Sequence, residues 1–361
     1  MKKKILTSLA FAVVFYGLTG VAKATSYSEY MSSVTTAANA MVAAQNTDGS
    51  FDWVNDSNPA TSGYPNTQGA TARGLVAAYK KTGNVNYLTA ANKTADWIIS
   101  NNAGGMYNKD IEFLFELASA GGTDYTAQAK SSAIAYVNQK MAADPSASSG
   151  ANAIYNRYRD ANWTANPGTL NGLKYWMIGE WGDVGRLIGD TQIYAGYTGK
   201  DMAKDVGTLL NNDLATFTTY STGSGIDPYY STLGFVGIVE AIDAGIDSGA
   251  TYTNTSTAVN ALAGRVSTWT GMGMDDWQTL GYTTYALSLF DNAGSLTGRD
   301  VLAGWINGGY FNTGSGAYLE SNGEALLGLA SAAAPVPEPT TMVLMGTGLV
   351  GFIGARRRKR H

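Results

Sequence analysis

Six segments of the chain share one pattern, an apolar helix that is rich in glycine and alanine and is entered through polar or aromatic residues. They lie at 66–83, 109–122, 182–199, 226–245, 275–294 and 317–332. Most of them end in glycine, the residue that commonly follows the end of a helix. Because glycine lets backbones approach closely, these six helices are predicted to crowd together as the inner layer of an all-α fold.

A helix of a second type precedes each of the six. These outer helices lie at about 27–45, 86–101, 123–142, 200–217, 254–270 and 296–307. Their apolar residues recur at three- and four-residue spacing, as in Tyr87, Leu88, Ala91, Ala95 and Ile98, which is typical of a helix with one buried face. The sequence therefore predicts six helical hairpins that repeat every ~40 to 50 residues.

The links between the predicted helices have two lengths. Links from an inner helix to the next outer helix are short, whereas links from an outer to an inner helix are longer and carry aromatic residues, as in DGSFDW, GEWGD and GMGMDDW. The long loops are therefore expected to gather around the N-terminal ends of the inner helices. Free backbone N–H groups and the helix dipoles favour anions at such ends.

This arrangement resembles the (α/α)6 toroid of six-hairpin glycosidases, several polysaccharide lyases and the squalene-cyclase-like proteins. The resemblance covers most of residues 26–333 and lies in the architecture, not in a diagnostic motif. It implies a closed ring, and an open solenoid is the alternative. In a closed ring the inner helices must crowd, so we expect seven glycines to lie in tight helix contacts: Gly69, Gly74, Gly234, Gly237, Gly281, Gly323 and Gly328.

The N-terminal segment, residues 1–24, has the pattern of an export signal. Met1 is followed by three lysines, an apolar run and then Ala22-Lys23-Ala24. These features are typical of a secretory signal peptide that signal peptidase removes. We therefore expect the folded domain to span residues 25–333.

The C-terminal segment, 334–361, has three unlike parts in a fixed order. Pro337-Glu338-Pro339 precedes an apolar run from Met342 to Ala355, and five basic residues follow. The run is short for a membrane-spanning helix, which needs ~20 residues, and the basic cluster favours the cytoplasmic side. The segment resembles the PEP-CTERM sorting signal of exported bacterial proteins. That resemblance implies a C-terminal membrane helix, transient anchoring in the inner membrane, processing by an exosortase-type enzyme, and a final place in the cell envelope or extracellular matrix.

The charge of the core and two scarce residue types exclude several classes of function. Nine of the 24 basic residues and one of the 28 acidic residues lie in the terminal segments, which leaves 15 basic and 27 acidic residues and a net charge of −12 for the core. A nucleic-acid partner is therefore not expected. The chain has no cysteine, and its one histidine is His361. Catalytic triads and His/Cys zinc sites are thus unavailable to the core, and we expect no metal or cofactor.

One short segment has the alternating oxygen ligands of a calcium loop. Asn46, Asp48, Ser50 and Asp52 alternate, but Phe51 and Ser57 stand where such a loop needs its glycine and its last glutamate. A turn with helix caps is therefore the preferred interpretation, and calcium use at 46–52 stays open.

The candidate site combines carboxylates and aromatic rings in the long loops. Aromatic faces stack on pyranose rings, and a glycosidase needs one protonated and one ionised carboxylate. Asp227 and Asp276, each at the start of an inner helix, are the preferred catalytic pair, with Asp183 and Glu180 in reserve. Other acids of these loops include Asp275, Glu320 and Glu324. The predicted substrate-binding residues are Trp53, Tyr107, Trp163, Trp181, Tyr229, Tyr230, Trp277 and Arg73.

Each of these residues also has a structural interpretation. An aspartate at a helix start is commonly an N-cap, loop aromatics commonly anchor turns, and Arg73 is also a candidate for a structural ion pair. Two hypotheses therefore stay open, a carboxylate-dependent glycan hydrolase and a non-catalytic protein that binds a polysaccharide or another surface glycan. A lyase fits less well, because the acidic core repels polyuronates and lacks the histidine that toroid lyases commonly use.

Overall fold

The structure is a computed structural model that describes residues 25–56, 63, 67–102, 105–160, 167–223 and 227–335. Thirteen α-helices dominate these residues, which confirms the predicted all-α class. Their bounds are α1 Tyr27–Ala44, α2 Gln68–Thr82, α3 Val85–Asn101, α4 Asn108–Ser119, α5 Thr126–Ala143, α6 Gly150–Asp160, α7 Pro167–Ile188, α8 Gly199–Ser221, α9 Pro228–Asp247, α10 Thr255–Ala263, α11 Met274–Ser288, α12 Ala293–Asn307 and α13 Leu319–Ser331. Strands β1 Gln192–Tyr194 and β2 Tyr197–Thr198 form an antiparallel hairpin between α7 and α8.

Local sequence explains where several helices begin and end. At the start of α1 the Ser26 hydroxyl accepts a hydrogen bond from the Glu29 N–H at 3.2 Å, and the Glu29 side chain accepts one from the Ser26 N–H at 2.9 Å. This reciprocal capping box satisfies two N–H groups that have no partner within the helix. At the end of α2, Gly83 takes φ 72°, a left-handed conformation that glycine adopts without steric cost.

Six helices form an inner layer, as the repeat predicts. They are α2, α4, α7, α9, α11 and α13; each contacts the next one in this order, and α13 also contacts α2. The outer helices pack on them from one side, for example α3 on α2 and α8 on α9. The inner contacts therefore follow a cyclic order.

The inner helices enter from the same end of the molecule. Residues near the N-terminus of one lie beside residues near the N-terminus of the next. Gly69 of α2 lies against Lys109 and Asp110 of α4, and Gly172 of α7 lies against Tyr230 of α9. The Tyr229 hydroxyl of α9 donates to Gln278 Oε1 of α11 at 2.5 Å. Neighbouring inner helices thus run parallel, with their N-termini and the long loops on one side.

Glycine allows the inner helices to approach backbone to backbone. A Cβ atom on Gly323 of α13 would lie 2.4 Å from the carbonyl oxygen of Thr71 in α2, and one on Gly328 would lie 2.1 Å from that of Gly281 in α11. All seven glycines predicted to be crowded have a neighbouring atom at 2.1 to 2.5 Å from such a Cβ. Gly234 differs from the other six, because its closest neighbour is the Phe217 ring of outer helix α8.

The third hairpin differs from the prediction. The inner helix predicted at 182–199 is instead the second half of α7, which ends at Ile188, and the following residues form the β1–β2 hairpin. Gly189 and Gly196 adopt φ 65° and 77°, and these left-handed turns end the helix and reverse the chain. The long loop predicted before it contains α6 and the first half of α7. Gly199, which the pattern predicts as a helix end, is instead the first residue of α8.

Residues 1–24 and 336–361, which hold the predicted signal peptide and nearly all of the predicted sorting segment with Pro337, Glu338 and Pro339, lie outside the described residues. Within the described ranges, no helix combines the length and the apolar character that crossing a bilayer requires.

Candidate functional site

The N-terminal ends of the inner helices carry aromatic and acidic side chains, and we call this end the mouth. Its side chains include Trp53, Tyr107, Tyr229, Tyr230, Asp275, Gln278, Tyr318 and Glu320. Trp53 and Tyr107 are 38% and 51% exposed, far more than aromatic rings that serve only as core packing. The mouth therefore presents apolar ring surface to solvent.

Two loops of the mouth are held together by backbone hydrogen bonds. The Leu319 N–H donates to the Trp53 carbonyl at 3.1 Å, and the Asn55 N–H donates to the Ala317 carbonyl at 2.9 Å. The Trp53 and Tyr318 rings meet edge to face with their centroids 5.8 Å apart. Two aromatic rings from loops 265 residues apart in sequence are thereby fixed next to the start of α13.

A carboxyl group with a raised pKa lies beside these rings. Glu320 is half-buried in the first turn of α13. Burial and the nearby charge of Glu180 raise its pKa to about 7, although a hydrogen bond with the Trp53 side chain opposes this. Near neutral pH the carboxyl group of Glu320 therefore exists in both protonation states.

A second glutamate lies one helical turn below the first. Glu324 is fully buried, and its two carboxylate oxygens make no hydrogen bond of ordinary geometry among the described residues. Burial and then Glu320 raise its pKa, while the Tyr282 and Gln278 side chains are close enough to lower it. A charge there would be poorly compensated, so Glu324 is held in its neutral form.

Tyrosines complete the opposite side of the mouth. Tyr229 and Tyr230 pack edge to face at 4.8 Å between ring centroids. The hydroxyl of Tyr229 donates to Gln278, and burial, together with the neighbouring carboxyl groups of Glu324 and Asp275, raises its pKa. These contacts bring α9, α11 and α13 together around one acidic, aromatic-lined end.

Asp227 and Asp276, the predicted catalytic pair, both cap helices at the mouth. Asp227 accepts a hydrogen bond from the Tyr229 N–H at 2.9 Å and is exposed. Asp276 accepts one from the Gly271 N–H at 2.9 Å and one from the Gly273 N–H at 3.2 Å. Asp275 lies between them, and burial together with the charges of Asp227 and Asp276 raises its pKa. The structure thus gathers three carboxylates here, two of them bound to backbone N–H groups.

Glu180 and Asp183, the reserve candidates, lie inside α7 and not in a loop before it. Asp183 pairs with Arg186 at 2.5 Å. Glu180 is buried, accepts a hydrogen bond from Asn108, and forms an ion pair with Lys109 Nζ at 3.4 Å. Their displacement from the mouth follows from the shifted start of the third inner helix.

Glu180 belongs to a buried ion network at the centre of the inner layer. We call Arg73, Lys109, Glu112, Glu116, Glu180 and Glu240 the central network. They come from α2, α4, α7 and α9. Predicted as a substrate ligand, Arg73 is instead fully buried and grips Glu116 with two nitrogens, Nη2 at 2.7 Å and Nε at 3.1 Å.

Lys109 links the other carboxylates of the central network. Its Nζ lies 3.0 Å from Glu112, 3.4 Å from Glu180 and 3.9 Å from Glu240. Burial lowers the pKa of Lys109, but the charge of Glu112, with those of Glu240 and Glu180, outweighs this and raises the pKa above its ordinary value.

The carboxylates of the central network outnumber its cations by four to two. Burial raises the pKa of Glu112, Glu180 and Glu240, against the opposing charge of Lys109. The carboxylate oxygens of Glu240 lack a hydrogen bond among the described residues. We therefore expect the network to hold at least one proton near neutral pH, because two cations cannot balance four carboxylates of which three are buried.

A cleft of about 440 Å³ opens at the other end of the inner helices. It lies between the C-terminal halves of α2, α11 and α13, and its lining includes Glu116 and Tyr285. The Tyr285 hydroxyl accepts a hydrogen bond from Arg73 at 3.0 Å. The cleft therefore connects the central network with solvent.

Several aromatic residues predicted to bind substrate are packed in the interior. The Trp181 ring is 2% exposed and stacks on Tyr136 with centroids 4.4 Å apart. Trp277 is 5% exposed and packs against Trp305 and Phe311. Neither ring is open to a ligand in this structure, and Trp163 lies outside the described residues.

The segment 46–52 forms a tight turn. Asp48 Oδ1 accepts hydrogen bonds from the Ser50 N–H at 3.0 Å and the Ser50 hydroxyl at 2.7 Å, and Asn46 Nδ2 donates to Asp52 at 2.9 Å. Across the part of the chain that the structure describes, no group of three or more His, Cys, Asp or Glu side chains is arranged to hold a metal ion.

The central network was not predicted, although a sequence signal for it exists. Glu240 is a single acid within the apolar stretch FVGIVEAI, and Glu180 lies within YWMIGEWG. A charged residue in an otherwise apolar helix must find a partner or a proton when buried. That signal points to buried carboxylates, but not to which cation compensates them.

Comparison with known proteins identifies the C-terminal segment. A family model described as the PEP-CTERM protein-sorting motif matches residues 335–359. No curated protein and no solved structure matches the chain. The resemblance of this segment to a PEP-CTERM sorting signal is therefore confirmed, and the motif implies an exported protein that an exosortase-type sorting enzyme processes.

Proposed function

We propose that this chain, sorted through its PEP-CTERM motif, is an envelope or extracellular matrix protein whose core is an (α/α)6 toroid that binds a glycan at the mouth. The observation that carries the proposal is the set of solvent-exposed and edge-packed rings around a half-buried carboxyl group, Glu320. The cyclic order of inner-helix contacts supports the toroid. The alternative, an open solenoid, would leave α13 without its contact to α2.

Aromatic rings and carboxylates together suit a sugar ligand. Trp53 and Tyr318 offer ring faces and edges to the apolar side of a pyranose, while the half-buried Glu320 offers a hydrogen-bond partner for a hydroxyl group. The acids Asp227 and Asp275 at the mouth disfavour polyuronates by repulsion. We therefore expect a neutral glycan or one that carries amino groups.

Binding should depend on the rings that stand in the mouth. We would titrate the processed protein with neutral, amino-bearing and uronate oligosaccharides, and repeat the titration with Trp53→Ala and Tyr318→Ala. Loss of one stacking ring should weaken binding by roughly 1 kcal/mol, about fivefold to tenfold. The matched control is Tyr125→Ala, because Tyr125 begins outer helix α5 away from the mouth. Unchanged affinity in both mouth variants would contradict the proposed site.

Hydrolysis is a second candidate function, favoured by the raised pKa of Glu320. A carboxyl group that keeps its proton near neutral pH can act as the general acid of a glycosidase. Glu320 is a stronger candidate for this role than Asp227 or Asp276, because the carboxylate oxygens of those two already accept hydrogen bonds from backbone N–H groups. The predicted pair stays a prediction.

Cleavage assays separate these assignments. Glu320→Gln should abolish glycan cleavage and retain glycan binding, whereas Asp227→Asn and Asp276→Asn should retain both. If cleavage instead disappears in the two aspartate variants and survives in Glu320→Gln, the catalytic pair is Asp227 and Asp276. If no glycan is cleaved while Trp53→Ala still loses binding, the protein is a non-catalytic glycan binder.

We further propose that the protein is held in the inner membrane before it is released. This proposal rests on the sorting motif together with the apolar run that follows Pro339. A tagged protein should lose residues 1–24 first and the segment beyond about Pro337 later. Full-length protein that stays in the cytoplasm, with no membrane association, would contradict this.

A further inference from the structure

The chain leaves the described part of the fold at a fixed point. Helix α13 ends at Ser331, and the backbone carbonyls that follow are held by side chains of three other helices. The Ala332 carbonyl accepts hydrogen bonds from Lys81 Nζ at 2.9 Å and from the Tyr30 hydroxyl at 3.4 Å. The Ala333 carbonyl accepts one from Arg299 at 2.5 Å. Ala332 is fully buried, so the exit is anchored to the core only two residues before the sorting motif begins.

The exit and the mouth lie at opposite ends of α13. The helix begins at Leu319, directly after Tyr318 of the mouth, and ends at Ser331 beside the anchored carbonyls. Thirteen residues at 1.5 Å per residue place these two points ~20 Å apart. Because the neighbouring inner helices run parallel to α13, the whole mouth lies on the far side from the exit. We call the C-terminal ends of α2, α11 and α13 the exit end.

The link between the core and the apolar run is short. The sorting motif begins at residue 335, and the apolar run begins at Met342. From Ala333 to Met342, a fully extended chain reaches at most ~30 Å. To reach the mouth, the link would have to pass outward over the outer helices α1 and α12 that pack on α13, ~10 Å, and then run the ~20 Å length of α13, so it would be fully extended before it arrived. The link cannot reach from the exit around the core to the mouth.

We propose that, while the chain is tethered by its tail, the exit end faces the lipid bilayer and the mouth faces away from it, toward the extracellular side. The surface that faces the lipid includes the turn between α2 and α3, at Gly83 and Val85, and the anchored carbonyls of Ala332 and Ala333. The consequence is that the mouth is open to large ligands before the tail is removed. This inference rests on the sorting motif and the geometry of the exit, and it does not require that the mouth binds a glycan.

Two labelled positions test the orientation. The chain has no cysteine, so Val85→Cys and Tyr310→Cys each create a unique attachment site. Val85 is 64% exposed and follows the C-terminus of α2, whereas Tyr310 is 56% exposed in the loop that leads to the start of α13. Each full-length variant, with its tail, would carry a fluorophore and be bound to vesicles of phosphatidylethanolamine and phosphatidylglycerol that contain a headgroup quencher.

We expect several-fold stronger quenching at position 85 than at position 310. Equal quenching, stronger quenching at position 310, or a full-length chain that does not bind the vesicles would each overturn the proposal. A Gly-Ser linker of about twenty residues between Ala334 and Pro335 adds a reach of roughly 25 Å. It should reduce the difference between the two positions. An undiminished difference with the linker would show that the anchored exit does not set the orientation, and would also overturn the proposal.

Discussion

The molecule buries two groups of carboxylates that differ in how their charge is compensated. In the central network, Arg73 and Lys109 lie within 4 Å of four glutamates. At the mouth, Glu320 and Glu324 have no salt bridge among the described residues, and protonation removes the cost of burying their charge. A network that is paired in this way holds helices together. Glu320 lies beside the exposed Trp53 ring, whereas Glu324 is fully buried, so of these two carboxyl groups only Glu320 is a candidate to act on a ligand.

This difference separates stability from function. Loss of a partner in the central network should unfold the protein, because it strands charges in the interior. Loss of a carboxyl group at the mouth should relieve repulsion and stabilise the fold, at the expense of whatever the mouth does. Substitutions in the two groups should therefore change stability in opposite directions.

Removing the cation at the centre should be the most damaging change. Lys109→Met leaves Glu112, Glu180 and Glu240 without their shared partner, and breaking a buried ion network by one partner costs on the order of 3 to 5 kcal/mol. We expect this loss in the free energy of unfolding, measured by urea denaturation at pH 7. The loss should be smaller at pH 5, where the stranded carboxylates take up protons.

A surface pair provides the matched control for this change. Lys200 Nζ lies 3.0 Å from Asp190, in an exposed ion pair at the start of α8. Lys200→Met should cost less than about 1 kcal/mol, because solvent screens such a pair. If the two lysine variants lose similar stability, the central network contributes no more to the free energy of unfolding than a surface ion pair does.

Adding a methyl group where two inner helices touch should give the next largest loss of stability. Gly323→Ala introduces a Cβ 2.4 Å from the Thr71 carbonyl oxygen, and backbone cannot move aside as a flexible side chain can. Overpacking of this kind costs about 1 to 3 kcal/mol. Gly304→Ala is the control, since no atom lies within 4 Å of a Cβ at that position in α12. There the change should be neutral or stabilising by up to about 1 kcal/mol, as judged by the midpoint of thermal unfolding.

These glycines also show which parts of the fold the sequence could predict. Helix periodicity and the small residues of crowded helices are visible in short stretches of sequence. Five of the six inner helices and all seven close contacts could therefore be predicted from the pattern. The third inner helix was placed too late, because the glycines at 189 and 199 look alike in sequence but end one helix and begin another.

The candidate site was less predictable than the fold, for a physical reason. An aspartate that caps a helix and one that protonates a substrate look the same along the chain, and only Asp276's contacts with two backbone N–H groups distinguish them. The raised pKa of Glu320 depends on its burial and on Glu180, which lies 140 residues away in sequence. Pairing between neighbouring inner helices, such as Arg73 with Glu112 and Glu116, depends on their register, which no local pattern encodes.

The raised pKa of Glu320 predicts that the free energy of unfolding falls as the pH rises. The pKa of Glu320 is raised to about 7 in the folded chain, whereas an exposed glutamate titrates near ~4.3. Between these values the folded chain holds a proton that the unfolded chain has released. The free energy of unfolding should therefore decrease from about pH 4.5 to about pH 7, by at most ~1.4 kcal/mol per pH unit for this group.

Glu320→Gln should remove that contribution and leave the variant more stable than the wild type at pH 8, with little difference at pH 4.5. Asp201 gives a control of opposite sign, since hydrogen bonds with Lys204 and Thr198 lower its pKa to about 2. Asp201→Asn should cost stability at pH 7, and that cost should disappear as the pH falls toward 2. A Glu320→Gln variant whose stability runs parallel to the wild type from pH 4.5 to 8 would contradict the burial of this carboxyl group.

The smallest effect belongs to the two aspartates that the sequence pointed to first. Asp276→Ala removes the acceptor for the Gly271 and Gly273 N–H groups, and Asp227→Ala removes the cap of α9. Loss of a helix cap costs ~1 kcal/mol, so each variant should unfold at slightly lower urea concentration. Their glycan affinity should stay within about twofold of the wild type, since 0.4 kcal/mol or less separates such values, whereas Trp53→Ala should lose several times more. A large loss of glycan binding or cleavage in Asp276→Ala, with stability intact, would show that this aspartate acts on the ligand and does not merely cap the helix. The distinction between capped and free carboxylates at the mouth would then be wrong.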